Sequence, residues 1–294
     1  MTTTQSVLDL RIPTGKTVLM QHLQTLVLRG NPHWIGGVIA PAKLPALAAK
    51  MAGRYPVLRD ERGRTYDRSK GLALAHFVAY ATTSGNVAWW VLTSDGHGGL
   101  ADKKSPDAHV AKHAPRANGH IEFDDYVLLY AHKKDARTLM DAKTGKEKQV
   151  IKDCSTWTWK MTTIAYGHVL AAIERDVKEL NFGRDDAGHL EGLRGTLAYQ
   201  RRRPLFSGVR TQVLQLHREA DSKWGLVRKA WLGRYTVLAA KYGDKAGRLR
   251  SLTEITSQHL PKMGRFKVFG DDTIGQLARG ELGGGHTETG LAQQ

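Results

Sequence analysis

The sequence predicts an α+β chain, an N-terminal antiparallel sheet followed by a C-terminal helical bundle. Three observations carry this. Short apolar and aromatic runs separated by turn residues fill the first half. Stretches with apolar residues three and four apart fill the second, and Gly and Pro interrupt that second half at helix-length intervals. With 294 residues, 41% of them hydrophobic, the chain can bury the core of one large domain or two ordinary ones. The expected division is 1–162 for the sheet domain, 163–279 for a basic helical domain and 280–294 for a flexible, glycine-rich tail.

From Gly15 to Arg29, the residues Val18, Leu19, Leu23, Leu26 and Val27 recur at helical spacing and predict an opening helix. Trp34 to Ala40 is a short apolar run, read as a strand. Pro41 to Met51 follows as a second helix with proline in its first turn. Gly71 to Tyr80 and Val87 to Thr93 flank the turn sequence TTSGN and predict a β-hairpin. Residues 101–114 are expected as a short helix and Ile121 to His132 as a strand centred on Val127, Leu128 and Leu129. Trp157, Trp159 and Met161 alternate onto one face of a half-buried strand. Taken from residue 34 to 132, this is the element order of a ferredoxin-like split βαβ fold. That fold serves RNA-recognition domains, CRISPR-type RNA-binding subunits and nicking domains alike. The polar, lysine-rich stretch 133–154 reads as a long loop. Ile164 to Leu180, Gly188 to Tyr199, Pro204 to Ala220 and Lys223 to Tyr242 read as helices.

No apolar run approaches the ~18 to 20 residues that a membrane-spanning helix needs. Met1 to Arg11 lacks the charged start and apolar stretch of a secretory signal. The one cysteine, Cys154, can form no internal disulfide, which fits a reducing, cytoplasmic compartment.

Lysine and arginine number 44 against 28 acids, a formal charge of +16, so a polyanionic partner is expected. The excess is local. Between Tyr199 and Arg250 thirteen cations face only Glu219, Asp221 and Asp244. Within QRRRPLFSGVRTQV, Arg201, Arg202 and Arg203 precede Pro204 and so should end a helix. Arg210 then falls in the first turns of the next, where free amides can receive a phosphate. Beyond them, Trp224, Val227, Trp231, Tyr235, Leu238 and Tyr242 share one helical face, flanked by Lys223, Arg234, Lys241 and Lys245. Arg228 and Arg248 complete the expected phosphate grip. A second patch, with Arg62 and Arg64 among Arg59, Arg68 and Lys70 around Tyr66, is expected in a loop before the hairpin. Trp34, Trp89, Trp90, Trp157 and Trp159 are core residues on the plain reading and base-stacking surfaces on the sharper one.

Catalytic signatures are incomplete. PTGKT at 13–17 lacks the earlier glycine and strand of a phosphate-binding loop, which argues against an ATPase and leaves no cofactor motif. His97, His109, His113, His120 and His132 crowd one stretch, and His109 with His113 would share a helical face, but no carboxylate pattern joins them and no metal site is expected. His76 is followed by Phe77 and Val78, so the paired histidines of a relaxase are missing. The acid pairs Asp124–Asp125, Asp185–Asp186 and Asp271–Asp272 lack nuclease-like partner spacing.

The strings AWWVLTSDG, STWTWKM and PLFSGVRTQV resemble stretches of uncharacterised proteins carried on proteobacterial plasmids and integrating conjugative elements. The resemblance implies work on mobile-element nucleic acid and brings no assigned activity. The expectation is a non-enzymatic nucleic-acid-binding protein, DNA favoured over RNA, able to sit with other subunits in a nucleoprotein complex and not at a membrane. The alternatives are a nuclease or nicking enzyme, and an RNA-binding structural subunit of a CRISPR-type ribonucleoprotein.

Overall fold

The computed structural model describes residues 6–132, 134–140, 147–181, 186–242, 269 and 271–282. It is mixed α+β with antiparallel sheets. The chain divides into two compact units. The first comprises 1–121, 128–157 and 265–294, and the second 122–127 and 158–264.

In the first unit, β1 (His33–Ile39), β2 (Ala75–Ala81), β3 (Val87–Thr93) and β4 (Lys112–His113) form a sheet in the order β2-β3-β1-β4. Every neighbouring pair is antiparallel, so β1 and β2 run the same way with β3 between them. Alternation decides which face each residue serves. Ile35, Phe77, Val87 and Val91 join Leu44, Ala48 and Met51 of the helix α2 (Leu44–Arg54) in one core cluster, with Trp89 half-buried beside them. Trp90 and Leu92, one residue out of phase, are buried on the opposite face. The opening helix α1 (Lys16–Leu28) buries Leu19, Met20, Leu23, Leu26 and Val27, the stripe that its spacing predicts. Gly36 in β1 is required by close approach: a Cβ there would lie 2.6 Å from the Trp89 carbonyl and 2.9 Å from the Trp90 ring.

Several expectations are corrected here. The patch Arg59–Lys70 is not a loop. Glu61–Ser69 forms α3, with the Asp60 carboxylate accepting from Gly63 N at 2.7 Å as N-cap. Its hydrophobic periodicity is absent because its buried residue is Asp67, held by Arg59 at 3.1 Å. Residues 101–111 form turns, not a helix. Asp102 accepts from the amides of Gly98 and Lys104, each at 2.9 Å, and these local bonds compete with helix formation. The supposed helical face shared by His109 and His113 therefore does not exist. The stretch 133–154 contains the antiparallel hairpin β7 (Lys134–Met140) and β8 (Glu147–Asp153), polar enough to read as a loop. The strand expected over 121–132 is two, β5 (Ile121–Phe123) and β6 (Tyr126–Ala131), separated by a turn in which Asp124 takes φ 48°. They pair in the order β5-β6-β9 with β9 (Thr156–Met161).

In the second unit, α4 (Thr163–Asn181) packs on both α5 (Asp186–Arg201) and α6 (Ser207–Tyr242). The helices expected at 204–220 and 223–242 are one. Nothing between Ala220 and Lys223 breaks a helix, whereas Pro204 does separate α5 from α6. The start of α6 meets β9 so closely that a Cβ on Gly208 would collide with the Trp159 carbonyl. Residues 271–282 return to the first unit. Ile12 N donates to Asp272 O at 3.0 Å, Ile274 N to Leu10 O at 2.9 Å, and α7 (Ile274–Arg279) buries Ile274 and Leu277. Most of the expected tail, from 283 onward, lies outside the described residues. Among the described residues no helix is long and apolar enough to cross a membrane.

Candidate anion-binding surfaces

The RRRP corner of the second unit sends its three arginines to different fates. Arg203 turns inward, its side chain 12% exposed. Its Nη1 meets the Asp125 carboxylate at 3.2 Å and donates to the Tyr126 hydroxyl at 3.1 Å, and its Nε donates to Gln200 Oε1 at 2.5 Å. The guanidinium also stands 5.7 Å from the Tyr126 ring centre and 5.9 Å from that of Tyr199. Burial opposes its charge, yet Tyr126 and Asp125 outweigh that and raise its pKa. Arg203 thus acts as a structural pin, a correction to its place in the phosphate grip. Arg201 is half-buried beside His217, a ring held at a pKa of about 4 by burial first and by Arg201 next. Arg202 alone of the three is exposed, with no carboxylate in ion-pair range among the described residues.

Farther along α6, Arg210 is half-buried and Arg218 exposed. One of the first amides of α6 is already taken, because Gly208 N donates to Thr158 Oγ1 at 3.0 Å. Lys223 is paired with Glu174 at 2.8 Å. Of the aromatic stripe, Trp224 is buried. Arg228, Arg234 and Lys241 lie on the backbone of α6 with side chains outside the described residues, and Lys245 and Arg248 lie outside them altogether.

In the first unit, α3 carries two basic stripes of helical spacing. Arg62 and Lys70 flank exposed Tyr66, the Lys70 ammonium 5.7 Å from its ring centre. Arg64 and Arg68 form the other stripe. Arg62 and Arg68 are exposed without a carboxylate partner among the described residues.

Arg64 points to a different environment, a cavity of about 440 Å³ that it lines with His22 of α1 and His76, Phe77 and Val78 of β2. Leu10, Arg11, Val57 and Phe269 complete the wall. The His22 ring meets Phe269 edge-on at 4.6 Å. Burial, then Arg29 and Arg64, lower the His22 pKa to about 4. Burial, then Arg64, His22 and Arg29, lower that of His76 to about 3. Both rings are therefore neutral near pH 7, each with one N–H donor and one acceptor nitrogen. The Arg64 Nε is buried without a hydrogen bond among the described residues, and burial lowers the pKa of the guanidinium against the pull of Asp60 and Glu61.

The cavity lies along the open edge of β2. Ser94 N donates to Leu74 O and Thr82 N to Asn86 O, so the bonded positions of the hairpin are the even ones of β2. Alternation then turns the amide and carbonyl of Phe77 outward, away from β3.

Trp34, Trp90, Trp157 and Trp159 are all buried, the Trp34 Nε1 donating to Gly119 O at 2.6 Å, so these four are core and not stacking platforms. His33 Nε2 bonds Asp95 Oδ1 at 2.8 Å and stacks on His113 at 4.6 Å. Among the described residues no three His, Cys, Asp or Glu side chains are grouped to hold a metal ion. Sequence reasoning named Arg64 but missed His22 and His76 as its companions, because the two histidines lie 54 positions apart and neither belongs to a spaced motif. No family model, curated protein or solved structure matches the chain.

Proposed function

We propose that the protein binds nucleic acid through its phosphates, with DNA favoured over RNA and no chemical step required. One observation carries this reading: a formal charge of +16 whose described members include exposed arginines without a carboxylate partner among the described residues in both units, Arg62 and Arg68 on α3 in one, Arg202 in the turn after α5 and Arg218 on α6 in the other. Such side chains release condensed counterions on meeting phosphate. The strand order β2-β3-β1-β4 supports a split βαβ reading of the N-terminal sheet, and the packing of α4 on α5 and α6 supports a helical bundle after it. The resemblance read in the strings AWWVLTSDG, STWTWKM and PLFSGVRTQV to proteins of mobile elements is the ground for favouring DNA.

Incubating the purified protein with labelled DNA and RNA strands, with and without EDTA, tests the reading against its rivals. Retarded, intact strands are expected. A defined cleavage product would replace it with a nuclease or nicking activity, and a discrete RNA accompanying the protein through purification would replace it with a ribonucleoprotein subunit.

A further inference from the structure

The cavity at the β2 edge combines features that do not serve folding. A half-buried guanidinium whose Nε has no acceptor is a cost to the fold, and two neutral imidazoles beside it do not offset its charge. Among the described residues no carboxylate lines the wall, and Asp60 and Glu61 act on Arg64 from outside it, whereas Arg203 in the second unit is met directly by Asp125, Tyr126 and Gln200. Val57 and Phe269 add apolar surface to the wall, with Phe269 against His22. A cationic donor, neutral hydrogen-bonding rings and an apolar surface in a space of about 440 Å³ match an anion that carries a planar, poorly hydrated body.

We propose that this cavity binds the phosphomonoester of a nucleotide, its phosphate on Arg64 and the imidazoles of His22 and His76 and its base against Val57 and Phe269. The proposal rests on the nucleic-acid reading for its ligand class. The guanidinium supplies the charge and its unused Nε–H a directed bond, while each ring can donate an N–H without first taking up a proton. The ligand has two sources with the same chemistry, a free mononucleotide or the phosphorylated end of a strand.

The test uses the full chain and adenosine 5′-monophosphate as probe, followed by titration calorimetry and by imidazole NMR signals assigned with His22→Gln and His76→Gln. Saturable binding of one equivalent is expected, with adenosine failing to bind. The ring signals of His22 and His76 should move while those of His120 and His132 stay. Arg64→Gln should weaken binding about tenfold or more, and Lys43→Gln, on the exposed surface of the same unit, should not. Absence of saturable binding, equal affinity for adenosine, or unmoved His22 and His76 signals in the unaltered protein would overturn the proposal without relying on any variant that folds poorly. Tighter binding of a 5′-phosphorylated than a 5′-hydroxyl strand assigns the site to a strand end, and equal binding assigns it to free nucleotide. If strands bind but the mononucleotide does not, the cavity proposal falls and the nucleic-acid reading stands; the reverse pattern fells the reading and keeps the cavity.

Discussion

Two arginines, Arg203 in the second unit and Arg64 in the first, are both drawn away from water and both sit near aromatic rings, yet they differ in what surrounds the charge. Arg203 is enclosed by a carboxylate, a phenol and an amide that its fork can reach. Arg64 lines an open cavity with two neutral imidazoles and keeps a buried Nε without an acceptor. The contrast teaches how to separate structural cations from binding ones. A buried cation with its partners supplied by the fold stabilises that fold, and one without them holds unused donors in reserve.

Acid should expose the largest effect. The His22 and His76 pKa values in the folded state, about 4 and about 3, lie below the ordinary 6.5, held there by burial and by Arg29 and Arg64. Below pH 6.5 the unfolded chain takes up protons that the folded chain refuses, so stability is full above 6.5 and declines as the pH falls toward 4. At about 1.4 kcal/mol per unit of lowering, the two rings cost on the order of several kcal/mol by pH 4. Urea titrations across this range should show that decline. It should flatten in a His22→Leu/His76→Leu double variant, leaving the slope from His217 of the second unit.

Next in size is Gly208→Val, which should cost about 3 kcal/mol because α6 and β9 leave no room for a side chain. Arg203→Ala should cost about 2 kcal/mol in chemical denaturation, since it strands Gln200 and Tyr126 while Asp125 remains more than half exposed to water. Smallest is Arg64→Gln, expected to change stability by no more than about 0.5 kcal/mol. A loss at Arg64 as large as that at Arg203 would erase the distinction between them.

The sequence made the periodic elements legible. The stripe of α1, the hairpin β2–β3 around TTSGN, and Pro204 as a helix break all stand where spacing and turn chemistry put them. What it hid were elements without apolar periodicity. Helix α3 buries an aspartate instead of a leucine, and β7 and β8 carry adjacent charged residues, Lys134–Asp135, Glu147–Lys148 and Lys152–Asp153, in place of a period-two apolar alternation. Charge clustering located Arg201 to Arg203 and Arg62 to Arg64 but could not say which guanidinium the fold consumes, because Asp125 and Tyr126 reach Arg203 from 77 or 78 residues away. The cavity histidines are likewise joined only by tertiary structure.

The salt dependence of strand binding tests the central claim most directly. Measured by fluorescence anisotropy on duplex DNA, the logarithm of the association constant should fall linearly with the logarithm of salt concentration, by about 0.9 per phosphate contacted. Reversal of Arg202 or Arg62 to glutamate should make the slope shallower by about one such contact, while Arg279→Gln, whose guanidinium is already paired with Glu281, should leave it unchanged. Binding that ignores salt, or slopes unmoved by either reversal, would contradict the account.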